Sequence, residues 1–185
     1  MNYYKMNIAG LDRELPICPV NDELSIGAFV ILGDAALTEA SARELLKLAP
    51  EYDYILTAEA KGIPLAHEMA RQHGDRTYFV ARKTPKLYMT GVFQVDVRSI
   101  TTAKDQMLYL DTAEADMMKG KRILLVDDVI STGESILAIE KLVKKAGGIV
   151  VGRMAILAEG DAQKREDIIY LEKLPVFNPD GSIKY

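Results

Sequence analysis

Ile123-Leu-Leu-Val-Asp-Asp-Val-Ile-Ser-Thr-Gly-Glu-Ser135 is the stretch whose reading decides the fold. Four apolar residues in a row read as a strand buried on both faces, the pattern of a parallel sheet. Two carboxylates, Asp127 and Asp128, end the run, and a short turn of hydroxyl residues and glycine opens a helix. The ends of parallel strands are where open α/β sheets take their ligands. A turn feeding a helix start offers unpaired N–H groups and the positive end of the helix dipole, which suit a phosphate. Ser131, Thr132 and Ser135 add hydroxyl donors around Glu134, and Gly133 lets the backbone approach a ligand closely. The same turn could be a plain helix cap beside solvated aspartates. Two adjacent acids at a buried strand end weigh against that, because carboxylates taken out of water need a partner.

Outward from this stretch, strand-like and helix-like segments alternate. Tyr54–Ala58 reads as a strand, Ile63–His73 as a helix with Pro64 in its first turn, and Thr77–Arg82 as the next strand. Glu134–Ala146 places Leu137, Ile139, Leu142, Val143 and Ala146 on an inward face, Gly147-Gly148 stops it, and Ile149–Leu157 is a further strand. Upstream, Thr38 is the expected N-cap of a helix through Ala49, with Leu45, Leu46 and Ala49 inward. The alternation predicts an α/β fold, a mainly parallel sheet flanked by helices, in one domain over 1–185. Residues 1–37, with short extended pieces around Pro16 and Pro19, are expected to form a small cap or hood. Residues 84–110, with strand-like pieces at Val92–Val97 and Met107–Leu110, form a long insert of the kind that is functional or mobile.

Composition narrows the function classes. One cysteine, Cys18, excludes an intrachain disulfide framework, and His67 and His73 leave little for a zinc centre. A net charge of −4 gives no reason to expect nucleic-acid binding. No apolar run reaches the roughly 20 residues of a membrane helix, and the N-terminus lacks the layout of a secretory signal. The expectation is a cytoplasmic protein with neither membrane nor nucleic-acid partners.

The run Val126-Asp-Asp-Val-Ile-Ser-Thr-Gly-Glu-Ser135 resembles the signature of the type I phosphoribosyltransferases: four apolar residues, two acids, two apolar residues and a hydroxyl-rich turn with glycine. That family binds 5-phosphoribosyl 1-pyrophosphate (PRPP) with Mg²⁺ and exchanges pyrophosphate for a nitrogenous base. The resemblance implies that Asp127 and Asp128 engage the ribose hydroxyls as the catalytic pair, with Mg²⁺ held through PRPP and, via water, by the same two acids. It implies that Ser131, Thr132, Gly133, Glu134 and Ser135 cradle the 5-phosphate. Thr57-Ala-Glu-Ala-Lys-Gly-Ile-Pro64 is similar to the family's pyrophosphate turn, in which Glu59, Ala60 and Lys61 would contact pyrophosphate. Members often hold a non-proline cis peptide there, expected here at Ala60–Lys61. Ala81-Arg-Lys-Thr-Pro-Lys-Leu87 resembles the R-K-x-x-K-L run of the purine branch, with Arg82, Lys83 and Lys86 as pyrophosphate-binding cations.

Within the family, hypoxanthine-guanine enzymes place an aspartate where Ser131 stands, and orotate enzymes carry an acidic-His-Gly run absent from Pro85–Gly91. Adenine and xanthine enzymes are the nearer resemblance. Adenine enzymes usually carry a hood glutamate, and Ser99-Ile-Thr-Thr-Ala-Lys104 puts Thr101 there. The implied function is purine salvage: PRPP and a purine base, most closely adenine, giving a nucleoside monophosphate and pyrophosphate. Xanthine or hypoxanthine transfer, and a PRPP-sensing regulator, are the alternatives. The family commonly forms homodimers, so a homodimer is expected.

Overall fold

In the computed structural model, residues 2–97 and 106–184 are described. The chain opens with β1 (Tyr3–Ile8), β2 (Leu11–Asn21) and β3 (Leu24–Gly27), then α1 (Ala35–Leu46), β4 (Tyr54–Ala58), α2 (Ile63–His73) and β5 (Phe79–Ala81). It continues with β6 (Val92–Val97), β7 (Gln106–Asp111), α3 (Thr112–Met118), β8 (Arg122–Ile130) and α4 (Glu134–Lys145). β9 (Ile149–Glu159), a 3-10 turn (Gly160–Lys164), β10 (Ile169–Leu174) and β11 (Val176–Phe177) complete it.

Five strands in the order β10-β9-β8-β4-β5 form the central sheet, and every neighbouring pair is parallel. The apolar runs of β4, β8 and β9 are buried because helices cover both faces. Leu124 and Val126 of β8 pack with Leu37 and Leu45 of α1 and Leu65 and Met69 of α2. Ile123 and Leu125 point the opposite way, toward Ile136, Ile139, Leu142 and Val143 of α4. Period-2 strands meeting period-3.6 helices therefore explain most of the core.

The helix starts show where local reading falls short. α1 begins three residues before the predicted cap: Asp34 takes the N–H of Leu37 at 3.1 Å and is itself clamped by Arg13 at 2.7 and 3.0 Å. Thr38 is buried inside the helix, its hydroxyl donating to Asp34 O at 2.8 Å. In α4 the buried face includes Ile136, while Leu137 is 47% exposed, because it lies off the stripe set by Ile136, Ile139 and Val143.

The cap is more regular than its two prolines suggest. β1, β2, β3 and β11 make a four-stranded antiparallel sheet, so the cap recruits Val176–Phe177 from the far end of the chain. β6 and β7 pair as an antiparallel hairpin beside the central sheet, with Arg82 bridged to Tyr109. Among the described residues, no helix is long and apolar enough to cross a membrane.

Candidate active site

β8 is paired with β4 only as far as Leu125 opposite Leu56, whereas β9 follows it to Ile130 opposite Ala158. The strand therefore does not stop at Val126 as its sequence suggests. Pairing with β9 carries it through Asp127 and Asp128, which lie where the opposite flank has lost its neighbour. The turn after β4 fills that gap. Gly62 is required there by close approach: a Cβ would collide with Thr57 Oγ1 and come within 3.1 Å of Asp127 Oδ1.

The cis peptide in this turn is Glu59–Ala60, one bond earlier than expected. The chain reverses directly after Glu59, whose N–H is still held by Ala81 O at 2.9 Å as an extension of the sheet. Lys61 is thereby turned back toward β8. Its Nζ stands 3.2 Å from Asp128 Oδ2. Asp128 is 4% exposed, and that oxygen makes no hydrogen bond among the described residues, so the contact is an ion pair without donor alignment. Asp127 Oδ1 accepts the N–H of Asp128 at 2.9 Å. Burial first, then the Asp128 charge, hold the Asp127 carboxyl above the usual carboxylate range, with Lys61 opposing.

Glu59 organises the basic run. Its Oε1 accepts the N–H of Lys83 at 2.6 Å, and its carboxylate lies 3.7 Å from Arg82 Nη1 and 3.8 Å from Lys86 Nζ. At the other turn, Gly133 has φ +80° and is the N-cap of α4, with no side-chain cap bond. Thr132 Oγ1 accepts the Glu134 N–H at a long 3.4 Å. A helix start that its own cap leaves open can receive an anion. Arg165 presses its guanidinium on the outside of this turn, where a Cβ at Gly133 would collide with Nη1. Asp167 holds Arg165 through two bonds of 2.9 and 2.7 Å.

A cavity of about 640 Å³ joins these pieces. It is lined by Asp127, Asp128, Glu59, Ala60, Lys61 and Lys83, with Ser131 and Ser135. Arg82, Lys86, Thr132, Gly133 and Glu134 do not reach its wall, the two cations being drawn to Glu59 instead. The cavity thus has an acidic floor between a cationic turn and an open helix start.

This arrangement coincides with a family model. The phosphoribosyl transferase domain model matches residues 32–178. The chain belongs to the phosphoribosyl transferase family. Among curated relatives, a hypoxanthine/guanine phosphoribosyltransferase of Methanothermococcus okinawensis is 31% identical over 91% of this chain and 95% of its own length. One from Methanococcus voltae is 33% identical over 70% of this chain, and the match spans 65% of that protein. Among solved structures, an adenine phosphoribosyltransferase from Thermoanaerobacter pseudethanolicus superposes with a TM-score of 0.64 at 28% identity, covering 77% of this chain and 84% of that one. The Saccharomyces cerevisiae adenine phosphoribosyltransferase, 18% identical with a TM-score of 0.61 over 92% of both chains, shares the fold.

The phosphoribosyl transferase cavity also has walls that the sequence reading missed. The cap contributes Ile26–Val30, and β9 contributes Glu159. Glu159 had a usable signal: the apolar run Met154–Ala158 ends in an acid, as the run before Asp127 does. Arg165 had none, because a charge in a K-R-E-D run reads as solvated surface. Thr101, with the rest of Ser99–Lys104, lies outside the described residues.

Proposed function

We propose that this chain is a cytoplasmic purine phosphoribosyltransferase that moves the 5-phosphoribosyl group of PRPP to a purine base, releasing pyrophosphate. The observation that carries this reading is Asp128, a buried carboxylate with one oxygen that accepts no hydrogen bond, in the wall of a cavity between an anion-ready helix start and a lysine-bearing turn. Such an acceptor suits a ribose hydroxyl, since leaving it unpaired costs stability. In this reading the α4 start and the hydroxyls of Ser131, Thr132 and Ser135 hold the 5-phosphate. Asp127 and Asp128 accept from the ribose diol and stabilise positive charge growing at C1. Lys61 and Lys83, with Arg82 and Lys86 behind them, balance the pyrophosphate charge as the C1–O bond breaks. The bond from the base nitrogen to C1 forms, and the displaced proton goes to pyrophosphate or water.

Residues 1–37 act as the cap of the same unit and residues 84–110 as its cover. The protein works as a homodimer, which light scattering tests.

Mg²⁺ fits the residues present. Among the described residues no group of three or more His, Cys, Asp or Glu side chains is arranged to hold a metal by itself. Two adjacent carboxylates, one with an oxygen that accepts no hydrogen bond, are what a Mg²⁺ shared with substrate phosphates asks for. Asp127 and Asp128 would hold it through water, where it would offset the negative charge of the leaving pyrophosphate.

Adenine to AMP is the first reading for the base, favoured by the superposition on the Thermoanaerobacter adenine enzyme. A 6-oxopurine is the second, favoured by the relatives named hypoxanthine/guanine phosphoribosyltransferase. Pyrophosphate release with PRPP, Mg²⁺ and each of adenine, hypoxanthine, guanine and xanthine distinguishes them. PRPP binding with no release from any base would replace the transferase by a sensor.

A further inference from the structure

The cavity wall divides by chemistry. One part is anion-binding, one is acidic and faces the sugar, and one is cationic. The part left over is apolar, including Ile26–Val30 from the cap, Val129 and Leu174, with a single ionisable group, Glu159. A flat heteroaromatic ring needs such a place: apolar contact above and below, and few polar atoms at its edge.

Glu159 is well placed to be that edge contact. It closes β9, where it pairs in register with Leu174 of β10, so its backbone is fixed by the central sheet. Its side chain is half-buried and lines the cavity. Arg82 and Lys86 are engaged with Glu59, and Lys61 with Asp128; among the described residues no hydrogen bond or salt bridge reaches the Glu159 carboxyl. Burial raises its pKa, with the more distant charge of Lys61 opposing. A carboxyl partly out of water, unpaired and facing a ligand cavity, is an acceptor awaiting an N–H.

We propose that Glu159 selects the base by accepting a hydrogen bond from the donor on the purine's six-membered ring, the C6 amino group of an aminopurine or the N1–H of an oxopurine. The assignment rests on the phosphoribosyltransfer reading and adds a specificity-determining residue to it. The ring packs against the cap and Leu174, and Glu159 distinguishes a purine carrying that donor from one without it.

The test compares Glu159→Gln and Glu159→Ala with the wild type. PRPP affinity is measured by calorimetry, and initial rates are measured with the base the wild type uses best. Unsubstituted purine, which has no donor on its six-membered ring, is scored by its inhibition constant. In Glu159→Ala kcat/KM for the base falls about tenfold or more, as for loss of a hydrogen bond to a charged group, and in Glu159→Gln, which keeps a neutral acceptor, it falls by less. PRPP affinity and the purine inhibition constant stay within about twofold, since neither uses this contact. Unchanged base kinetics in an active variant overturns the assignment. So does a purine inhibition constant that worsens as much as the substrate's KM, which would mark Glu159 as merely shaping the pocket. A wild-type protein that binds PRPP but releases no pyrophosphate with any purine overturns the transfer reading itself, and this assignment with it.

Discussion

Strand β8 carries ionisable groups at both ends and treats them in opposite ways. At its start, Arg122 is fully engaged: its N–H and guanidinium reach Asp53 at 2.7 and 3.2 Å, and Nη1 reaches Glu51 at 2.8 Å. Asp53 is correspondingly held below the usual carboxylate range, by the Arg122 side chain first. At its far end, two carboxylates share one lysine, Asp127 sits above the usual range, and Asp128 Oδ2 has no hydrogen bond. Four apolar residues separate the two regimes. A chain that can satisfy a strand end so completely at Arg122 leaves the opposite end under-satisfied where a ligand is to complete it.

The largest effect expected from that contrast is at Asp128. Asp128→Asn keeps the shape but removes a charge from the acidic floor of the cavity, and on the proposed function kcat/KM should fall about 10²-fold or more. Arg122→Gln, at the other end of the same strand, should leave turnover unchanged. Near-wild-type turnover in Asp128→Asn would erase the functional difference between the two ends.

Next in size is the outer face of the turn that opens α4. Arg165→Gln removes the guanidinium packed on Gly133 while keeping a shorter, neutral polar side chain. KM for PRPP should rise about three- to tenfold with kcat little changed, as for loss of one fixed charge near a bound anion. A drop in kcat with KM unchanged would mean that Arg165 acts on the reacting centre and not on the turn.

Asp127→Asn tests the stability side of the comparison. Because burial and Asp128 raise the Asp127 pKa, the folded state holds this proton at pH values where the unfolded chain has released it. Stability therefore declines as pH rises from the ordinary aspartate range through the folded value, and the loss persists above it. Asn does not titrate, so the variant should melt a few degrees above wild type near pH 8 and show less advantage near pH 5, while losing activity. An equal melting difference at both pH values would remove the raised carboxyl from the account.

These tests bear on what was legible in the sequence. Ile63–His73 and Val92–Val97 are found where their patterns place them, because a helix stripe or a strand run is a local property. The extension of β8 through Asp127 is not local: it depends on β9 running alongside. Asp34 outcompetes Thr38 as the α1 cap because Arg13, 21 residues away, clamps it. β2 contains Pro16 and Pro19 and reads as broken. Yet the neighbouring N–H of Ile17 finds Asn2 O at 2.8 Å, and Pro16 O accepts from Ala28 at 2.8 Å. Proline forfeits only its own donor, so an extended segment survives where its partners need none from it. In the site, the acids and hydroxyls were readable from order along the chain. Glu159 closes an apolar run as Asp127 does and could have been read the same way, whereas the cap wall could not, because it is set by the pairing of β3 with β11, about 150 residues away along the chain.

The smallest expected effect lies at the satisfied end of β8. The Asp53 carboxyl titrates below the usual aspartate range, Arg122's hydrogen bond being the chief cause. Its contribution to stability is thus fully present above the unfolded pKa and is lost as pH falls through the folded value. Asp53→Asn keeps a weaker hydrogen bond to Arg122 without the charge. It should melt slightly below wild type at neutral pH, the gap narrowing as acid protonates Asp53 in the wild-type chain. Salt should narrow it too, because both side chains are partly exposed and the pair is screened. Turnover should match wild type at every pH where both are folded. A melting gap that stays constant down to pH 3 would show that Asp53 acts by shape alone. A change in kcat/KM would mean that the two ends of β8 are not independent.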